Sequence, residues 1–277
     1  MNNETKYTPI GVFDSGYGGL TVLKEIVKEL PQYDYLYLGD NARAPYGSRS
    51  FETVYEYTLQ CVNYLFEQGC HLVILACNTA SAKALRTIQQ KDLPLIAPNK
   101  RVLGVIRPTT ELIGNYTKTN SVGVLGTAGT ISSGSYLVEI EKFFPNLNVY
   151  QEACPMWVPL IENNELDNVG ADFFIKKHVT HLMQQQPSID AIILGCTHYP
   201  IIEEKIKQYL PSHVKLLSQG AIVGKSLNDY LQRHVELETN CSKNKTIQFC
   251  TTDIPEVFDK AAGIFFDGVV NSKRIEL

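Results

Sequence analysis

His71-Leu72-Val73-Ile74-Leu75-Ala76-Cys77-Asn78-Thr79 and Asp190-Ala191-Ile192-Ile193-Leu194-Gly195-Cys196-Thr197-His198 are two versions of one pattern. In each, an apolar run short enough for a buried parallel strand stops at a small residue, and a cysteine then opens a polar turn into a helical pattern. Both thiols are therefore expected at the carboxyl ends of strands, where open α/β sheets bind ligands. A lone cysteine after a buried strand is usually an inert core residue. Duplication at equivalent positions weakens that reading, and the two are expected to face one another across a cleft as a paired acid and base.

The flanking sequence repeats as well. Residues 9–13 read as a first strand, broken at Asp14-Ser15-Gly16-Tyr17-Gly18-Gly19; Leu20, Leu23, Ile26, Val27 and Leu30 then recur at helical spacing until Pro31 ends the pattern. The glycines permit close backbone approach to a ligand, and the new helix is expected to offer unpaired amides to an anion. A tight connection without a ligand is the alternative, and a phosphate loop is disfavoured because its Gly-x-x-x-x-Gly-Lys-Ser/Thr pattern is missing. A strand at 35–38 leads into a polar loop at 39–47, followed by an amphipathic helix over 53–66. The first cysteine turn comes next, then a helix through Gln89 and a short strand at 93–97.

From Val102 the pattern restarts. Residues 121–127 repeat the form of 9–15 and run into the turn Ala128-Gly129-Thr130, and residues 153–162 stand where the 40–47 loop stood. Ser15 to Thr127 is an offset of 112 (127 − 15) and Cys77 to Cys196 one of 119 (196 − 77), close enough to indicate an internal duplication. The tail from Gly220 holds a helix, a polar loop at 239–245, a strand at 246–250 and a last helix near Val257, and is expected to return to the first half. The fold class is thus α/β: two similar doubly wound domains related by internal duplication, with the active site in the cleft between them. Residues 1–100 with 215–277 form the first domain and 101–214 the second.

A chain of 277 residues with 44% hydrophobic and 19% charged content suits two compact cores. A formal charge of −4 gives no electrostatic footprint for nucleic acid or an anionic membrane surface, so an anionic ligand must be held by local donors. No apolar run reaches membrane-spanning length and no charged stretch followed by an apolar one opens the chain. Seven cysteines without a Cys-x-x-Cys pair fit neither a disulfide framework nor a zinc ribbon. A reducing cytoplasm is the expected compartment. Cys61, Cys70, Cys154, Cys241 and Cys250 read as structural. Cys196 with His198 lacks enough neighbouring ligands for a closed metal site, so no metal is expected.

Five motifs in order, Gly11-Val12-Phe13-Asp14-Ser15-Gly16, the Asp40 loop ending Pro45-Tyr46-Gly47, Ala76-Cys77-Asn78-Thr79-Ala80-Ser81, Ala153-Cys154-Pro155 with Val158-Pro159, and Leu194-Gly195-Cys196-Thr197-His198-Tyr199-Pro200, closely resemble the cofactor-independent glutamate racemase family. The resemblance runs from residue 9 to residues 248–252. Two departures stand outside the cysteine turns: Thr109 follows Pro108 where relatives usually carry Gly or Ala, and Asp253 stands where Gly is common.

The resemblance implies that Cys77 and Cys196 are the catalytic acid/base pair, that Asp14 and His198 assist proton transfer on their respective sides, and that Asp40 and Glu162 are secondary acidic candidates. It also implies that Asp14-Ser15, Tyr46-Gly47, Asn78-Thr79 and Thr197-His198 line the substrate site, that no cofactor is used, that D-glutamate is supplied for peptidoglycan, and that a homodimer is a natural assembly. The residues themselves suit that chemistry. A zwitterion with a second carboxylate needs hydroxyls, amides and helix N-termini, Asp14 can accept its ammonium group, and Thr127 and Thr130 extend the shell from the matching turn. A thiol titrates near enough to neutrality to serve as base or acid, and two of them suit a reaction that removes a proton from one face of Cα and returns one to the other. Helix amides should favour thiolate at either cysteine, and a nearby carboxylate should favour thiol. Three readings compete: a glutamate racemase, with aspartate or a related acid as the near alternative substrate; a noncatalytic two-lobed amino-acid-binding protein; and a thiol redox protein cycling Cys77 and Cys196 through a disulfide.

Overall fold

A computed structural model describes residues 7–277; residues 1–6 of the expected first domain lie outside the described residues. The chain forms two parallel sheets. Strands β1 (Ile10–Asp14), β2 (Tyr35–Gly39), β3 (Leu72–Leu75) and β4 (Arg101–Gly104) build the first, and β5 (Ser121–Gly126), β6 (Asn148–Ala153), β7 (Ala191–Gly195) and β8 (Lys215–Leu217) the second. The returning tail contributes β9 (Ile247–Thr251) and β10 (Ser272–Arg274) to the first sheet. The strand order is β10-β9-β2-β1-β3-β4 in one sheet and β6-β5-β7-β8 in the other. Without the tail, the order second-first-third-fourth occurs in both lobes, so the duplication read from the motif offsets is a duplication of topology.

The central strands are apolar because helices cover both faces. Every residue of β1, β2, β3 and β7 is buried. Each fully buried Leu, Ile, Val or Phe contributes roughly 1.5–3 kcal/mol towards offsetting the ordering of the backbone. The helix Gln219–Arg233 returns the chain to the first lobe and packs along Leu20–Glu29. Gly220 and Gly224 permit this approach, since a Cβ on either would stand 2.9 Å or 3.1 Å from Glu25 atoms.

Two expectations need correction. Residues 93–97 are not a strand: Leu93–Ile96 is a helical turn that follows the π-helical segment Ile88–Asp92, with Pro94 in its first turn, where the missing N–H breaks no helical bond. Leu95 is 84% exposed, as no buried strand residue would be. The place beside β3 is taken by β4 instead, with Leu72 opposite Arg101 and Leu75 opposite Gly104. A short apolar run does not by itself distinguish strand from helix. The domain limits shift accordingly, because a strand belongs with the sheet that pairs it. β4, at 101–104, lies in the first sheet, and β8, at 215–217, pairs with β7 in the second.

Candidate active site

The parallel register brings four equivalent strand ends together. β1 ends at Asp14, β3 runs into Ala76-Cys77, β5 into Thr127 and β7 into Cys196. The residues that follow these strand ends share a cavity of about 180 Å³ lined by Cys77, Cys196, Ser15, Thr79, Thr127 and His198 among others. Pockets for drug-sized ligands enclose roughly 300–1,000 Å³, so this space suits a smaller molecule. Contacts between the lobes close its rim: Thr79 Oγ1 lies 2.9 Å from Thr127 Oγ1 and 3.3 Å from Thr130 Oγ1, and the Gly129 N–H donates to the Gly47 carbonyl at 2.8 Å.

On the first lobe, Cys77 is the N-cap of the helix Asn78–Lys83, and its sulfur accepts from the Ala80 N–H at 3.4 Å. The N–H groups of Asn78 and Thr79, in the first turn of that helix, have no intrahelical acceptor. Ser15 Oγ lies 3.4 Å from Cys77 Sγ. Burial first, and Asp14 second, push the thiol up to about 12, against the pull of Ser15 and the Ala80 amide. Cys77 therefore rests as a thiol. Asp14 is 1% exposed; one carboxylate oxygen accepts from Gly16 N–H at 2.9 Å and the other has no partner. Burial raises its carboxyl above the usual range, and the charge of His198 and the amides of Gly16 and Gly19 draw it partly back.

The second lobe differs. His198 Nδ1 lies 3.8 Å from Cys196 Sγ, and Nε2 lies 2.8 Å from Glu162 Oε1. Burial opposes charge on this imidazole, yet the hydrogen bonds to Cys196 and Glu162 prevail and lift it to about 10. A protonated imidazolium donates to both neighbours and presents an N–H to the sulfur. The Phe265 ring packs edge-on against His198 with centroids 5.2 Å apart, and Thr21 Oγ1 donates to the Thr197 carbonyl at 2.8 Å. The two thiols thus share a cavity but not an environment.

The Asp/Glu/hydantoin racemase family profile matches residues 10–223. The glutamate racemase of Persephonella marina is 39% identical over 97% of this chain and 97% of its own length. This chain belongs to the Asp/Glu/hydantoin racemase family. Solved structures agree with that membership. A glutamate racemase isoform from Bacillus anthracis superposes with a TM-score of 0.88 at 33% identity, covering 98% of both chains. The glutamate racemase of Francisella tularensis, solved with D-glutamate, gives 0.86 at 36% identity over 98% of both chains.

Within this racemase-family fold the expected residues fall into three groups. Ser15, Tyr46, Gly47, Cys77, Asn78, Thr79, Thr127, Glu162, Cys196, Thr197 and His198 line the cavity. Asp14 and Thr130 stand behind that wall, Asp14 through the Gly16 amide and Thr130 through Thr79 and Thr127. Asp40 is set apart: it is fully buried and its carboxylate takes hydrogen bonds from Arg43 at 2.7 Å, Thr252 at 2.9 Å and the Tyr46 hydroxyl. Those bonds occupy both oxygens and tie Asp40 to the Tyr46 loop.

The first turn also differs from expectation. Leu20, Thr21 and Val22 N–H are taken by the carbonyls of Tyr17, Gly18 and Gly19 at 3.0, 3.0 and 3.1 Å, so these helix amides are paired within the turn. The close approach at Gly18 serves the opposite lobe, because a Cβ there would stand 2.3 Å from Thr197 Oγ1 and 2.4 Å from His198 Nδ1. Cys154, read as structural, lines the cavity wall while its thiol donates to the Glu152 carbonyl at 3.7 Å. Tyr136 and Gln219, which hydrogen-bond Asn78, carry no local motif that sets them apart in the sequence.

Proposed function

We propose that this enzyme interconverts L-glutamate and D-glutamate by two-base proton transfer at Cα, with Cys77 and Cys196 on opposite faces of the bound amino acid. The observation that carries the reading is the placement of both thiols, from matched strand ends of two lobes, on one small cavity in a chain of the racemase family. The N–H groups of Asn78 and Thr79 bind the α-carboxylate, and Asp14, behind the wall beside Cys77, supports proton transfer on that side. The hydroxyls of Ser15, Thr127 and Thr197 and the Tyr46-Gly47 turn complete the shell.

In one direction the Cys196 thiolate, facing the His198 imidazolium, removes the Cα proton, and Cys77, resting as a thiol, delivers its proton to the other face. The enzyme then holds a thiol at Cys196 and a thiolate at Cys77, the state required for the reverse reaction. Each turnover removes one Cα–H bond and forms another, and no electrons change hands. The carbanion-like state is stabilised by preorganised amides and hydroxyls in a closed site. Glu162 holds the imidazole of His198 by its far nitrogen, the orientation that aims Nδ1 at the sulfur.

The D-glutamate so formed supplies peptidoglycan synthesis. The reaction takes place in the cytoplasm, where thiols stay reduced, and the enzyme works as a homodimer. Among the described residues no helix is long and apolar enough to cross a membrane. The test is the decay of optical activity of L-glutamate, D-glutamate and L-aspartate with the parent and with Cys77→Ser and Cys196→Ser. Glutamate should racemise, aspartate should not, and each serine variant should lose on the order of 10²–10⁴-fold in kcat. Faster turnover of aspartate would reassign the substrate, and an undiminished rate in either serine variant would remove that cysteine from the mechanism.

A further inference from the structure

Behind the cavity, the two cysteine turns meet at one closed ring of buried side chains. Asn78, next to Cys77, donates through Nδ2 to Gln219 Oε1 at 2.7 Å and accepts at Oδ1 from the Tyr136 hydroxyl, also at 2.7 Å. Gln219 Nε2 closes the ring by donating to the Tyr136 oxygen at 2.9 Å. The same nitrogen lies 3.0 Å from the Val105 carbonyl and 3.2 Å from Thr109 Oγ1. Asn78, Tyr136 and Gln219 are 2%, 0% and 4% exposed, so none of these bonds can be replaced readily by bulk water.

The other side of Tyr136 touches the second cysteine turn. A Cβ on Gly195, the residue before Cys196, would stand 3.2 Å from Tyr136 Cε2 and 3.3 Å from its hydroxyl oxygen. One side chain therefore grips the residue after Cys77 and abuts the residue before Cys196, while neither it nor Gln219 lines the cavity. The ring also joins both passages between the lobes. Val105 and Thr109 lie on the outward one, and Gln219 opens the helix Gln219–Arg233 on the return. Its direction is fixed, because turning the Gln219 amide over would set its NH₂ against that of Asn78 and its oxygen against the Val105 carbonyl.

We propose that Tyr136 is a positioning residue for the racemase reaction, acting with Gln219 as a strut that sets the separation and tilt of the Cys77 turn relative to the Cys196 turn. The proposal rests on the two-thiol reading above. Proton transfer across both faces of one carbon needs both sulfurs placed to within about 0.5 Å, and a misplacement of about 1 Å can lower a rate by roughly 10²-fold. The strut holds Asn78 by its side chain, so its main-chain N–H remains available to substrate when the strut is cut. Thr109, the residue noted as a departure from the family pattern, is a member of this assembly through its bond to Gln219.

Tyr136→Phe tests the strut because it keeps the ring against Gly195 and removes only the hydroxyl. Expected are a fall in kcat of about tenfold or more in both directions and a KM for glutamate changed by less than about threefold. Gln219→Leu and Tyr136→Phe combined should reduce kcat by clearly less than the product of the two separate reductions, since both substitutions open one ring. A crystal structure of the variant should show the Cys77–Cys196 sulfur separation altered by about 0.5 Å or more. A kcat within about twofold of the parent, a loss confined to KM, additive losses, or an unchanged sulfur separation would each overturn the proposal. If the parent itself leaves the Cα proton of glutamate in place, the two-thiol reading fails, and the sulfur separation alone then decides whether the strut exists.

Discussion

Asp14 carries the sharpest conflict between stability and function in this site. It is buried, one oxygen has no partner, and its carboxyl is held above the usual range by burial. A carboxyl whose folded pKa is raised favours the native state while protonated. That contribution is present at pH below the unfolded value, and it is lost as pH rises and the unfolded chain ionises more readily. Replacement by a neutral isostere removes this dependence. Asp14→Asn should therefore raise the melting temperature more at pH 8 than at pH 4 while lowering kcat by about 10²–10⁴-fold, as measured by thermal unfolding and racemisation assays on the same samples. A change in melting temperature independent of pH would show that the carboxyl is not strained by burial. At this scale the two cysteine turns were legible as a repeated strand-turn-helix pattern, while the roles expected of Asp14 and His198 came from the family resemblance. The sequence was silent on Tyr136 and Gln219, whose bonds to Asn78 join positions 58 and 141 residues apart.

Among the elements, the turn between β1 and the helix Leu20–Glu29 has the tightest constraint. Its glycines read as a ligand loop, but the structure uses Gly18 to let this turn meet Thr197 and His198 of the other lobe. Gly18→Ala would place a methyl 2.3–2.4 Å from those side chains, so the Cys196 turn must yield. A stability loss of about 1–3 kcal/mol is expected from the overpacking, with a drop in kcat larger than that in the Gly47→Ala control, whose Cβ would stand 3.0 Å from Thr127. Chemical denaturation and steady-state kinetics check both parts, and a silent Gly18→Ala would mean that the lobes approach less closely than described. Glycine in a sequence announces close approach without saying to what. The same limit explains residues 93–97, where an apolar tetrad fits strand and helical turn alike and only the pairing of β4 with β3 decides.

For the molecule as a whole, the repeated strand order makes the mechanism intelligible. Two lobes of one topology bring one thiol each to a shared cavity, the arrangement on which the proposed inversion at carbon rests. The later divergence of the lobes supplies the asymmetry, with Asp14 and Ser15 beside one sulfur and His198 with Glu162 beside the other. The duplication was legible because its motif offsets nearly coincide, whereas the exact passage of the chain between lobes was not, since it depends on which edge strand each sheet accepts. The most direct test is the fate of hydrogen at Cα when L-glutamate is converted in D₂O and stopped at low conversion. Two opposed thiols predict D-glutamate labelled with deuterium at Cα beside recovered L-glutamate that still carries its original hydrogen. D-glutamate that retained the substrate's own hydrogen would mean that a single base serves both faces, and would contradict the assignment of Cys77 and Cys196 to opposite sides of the carbon.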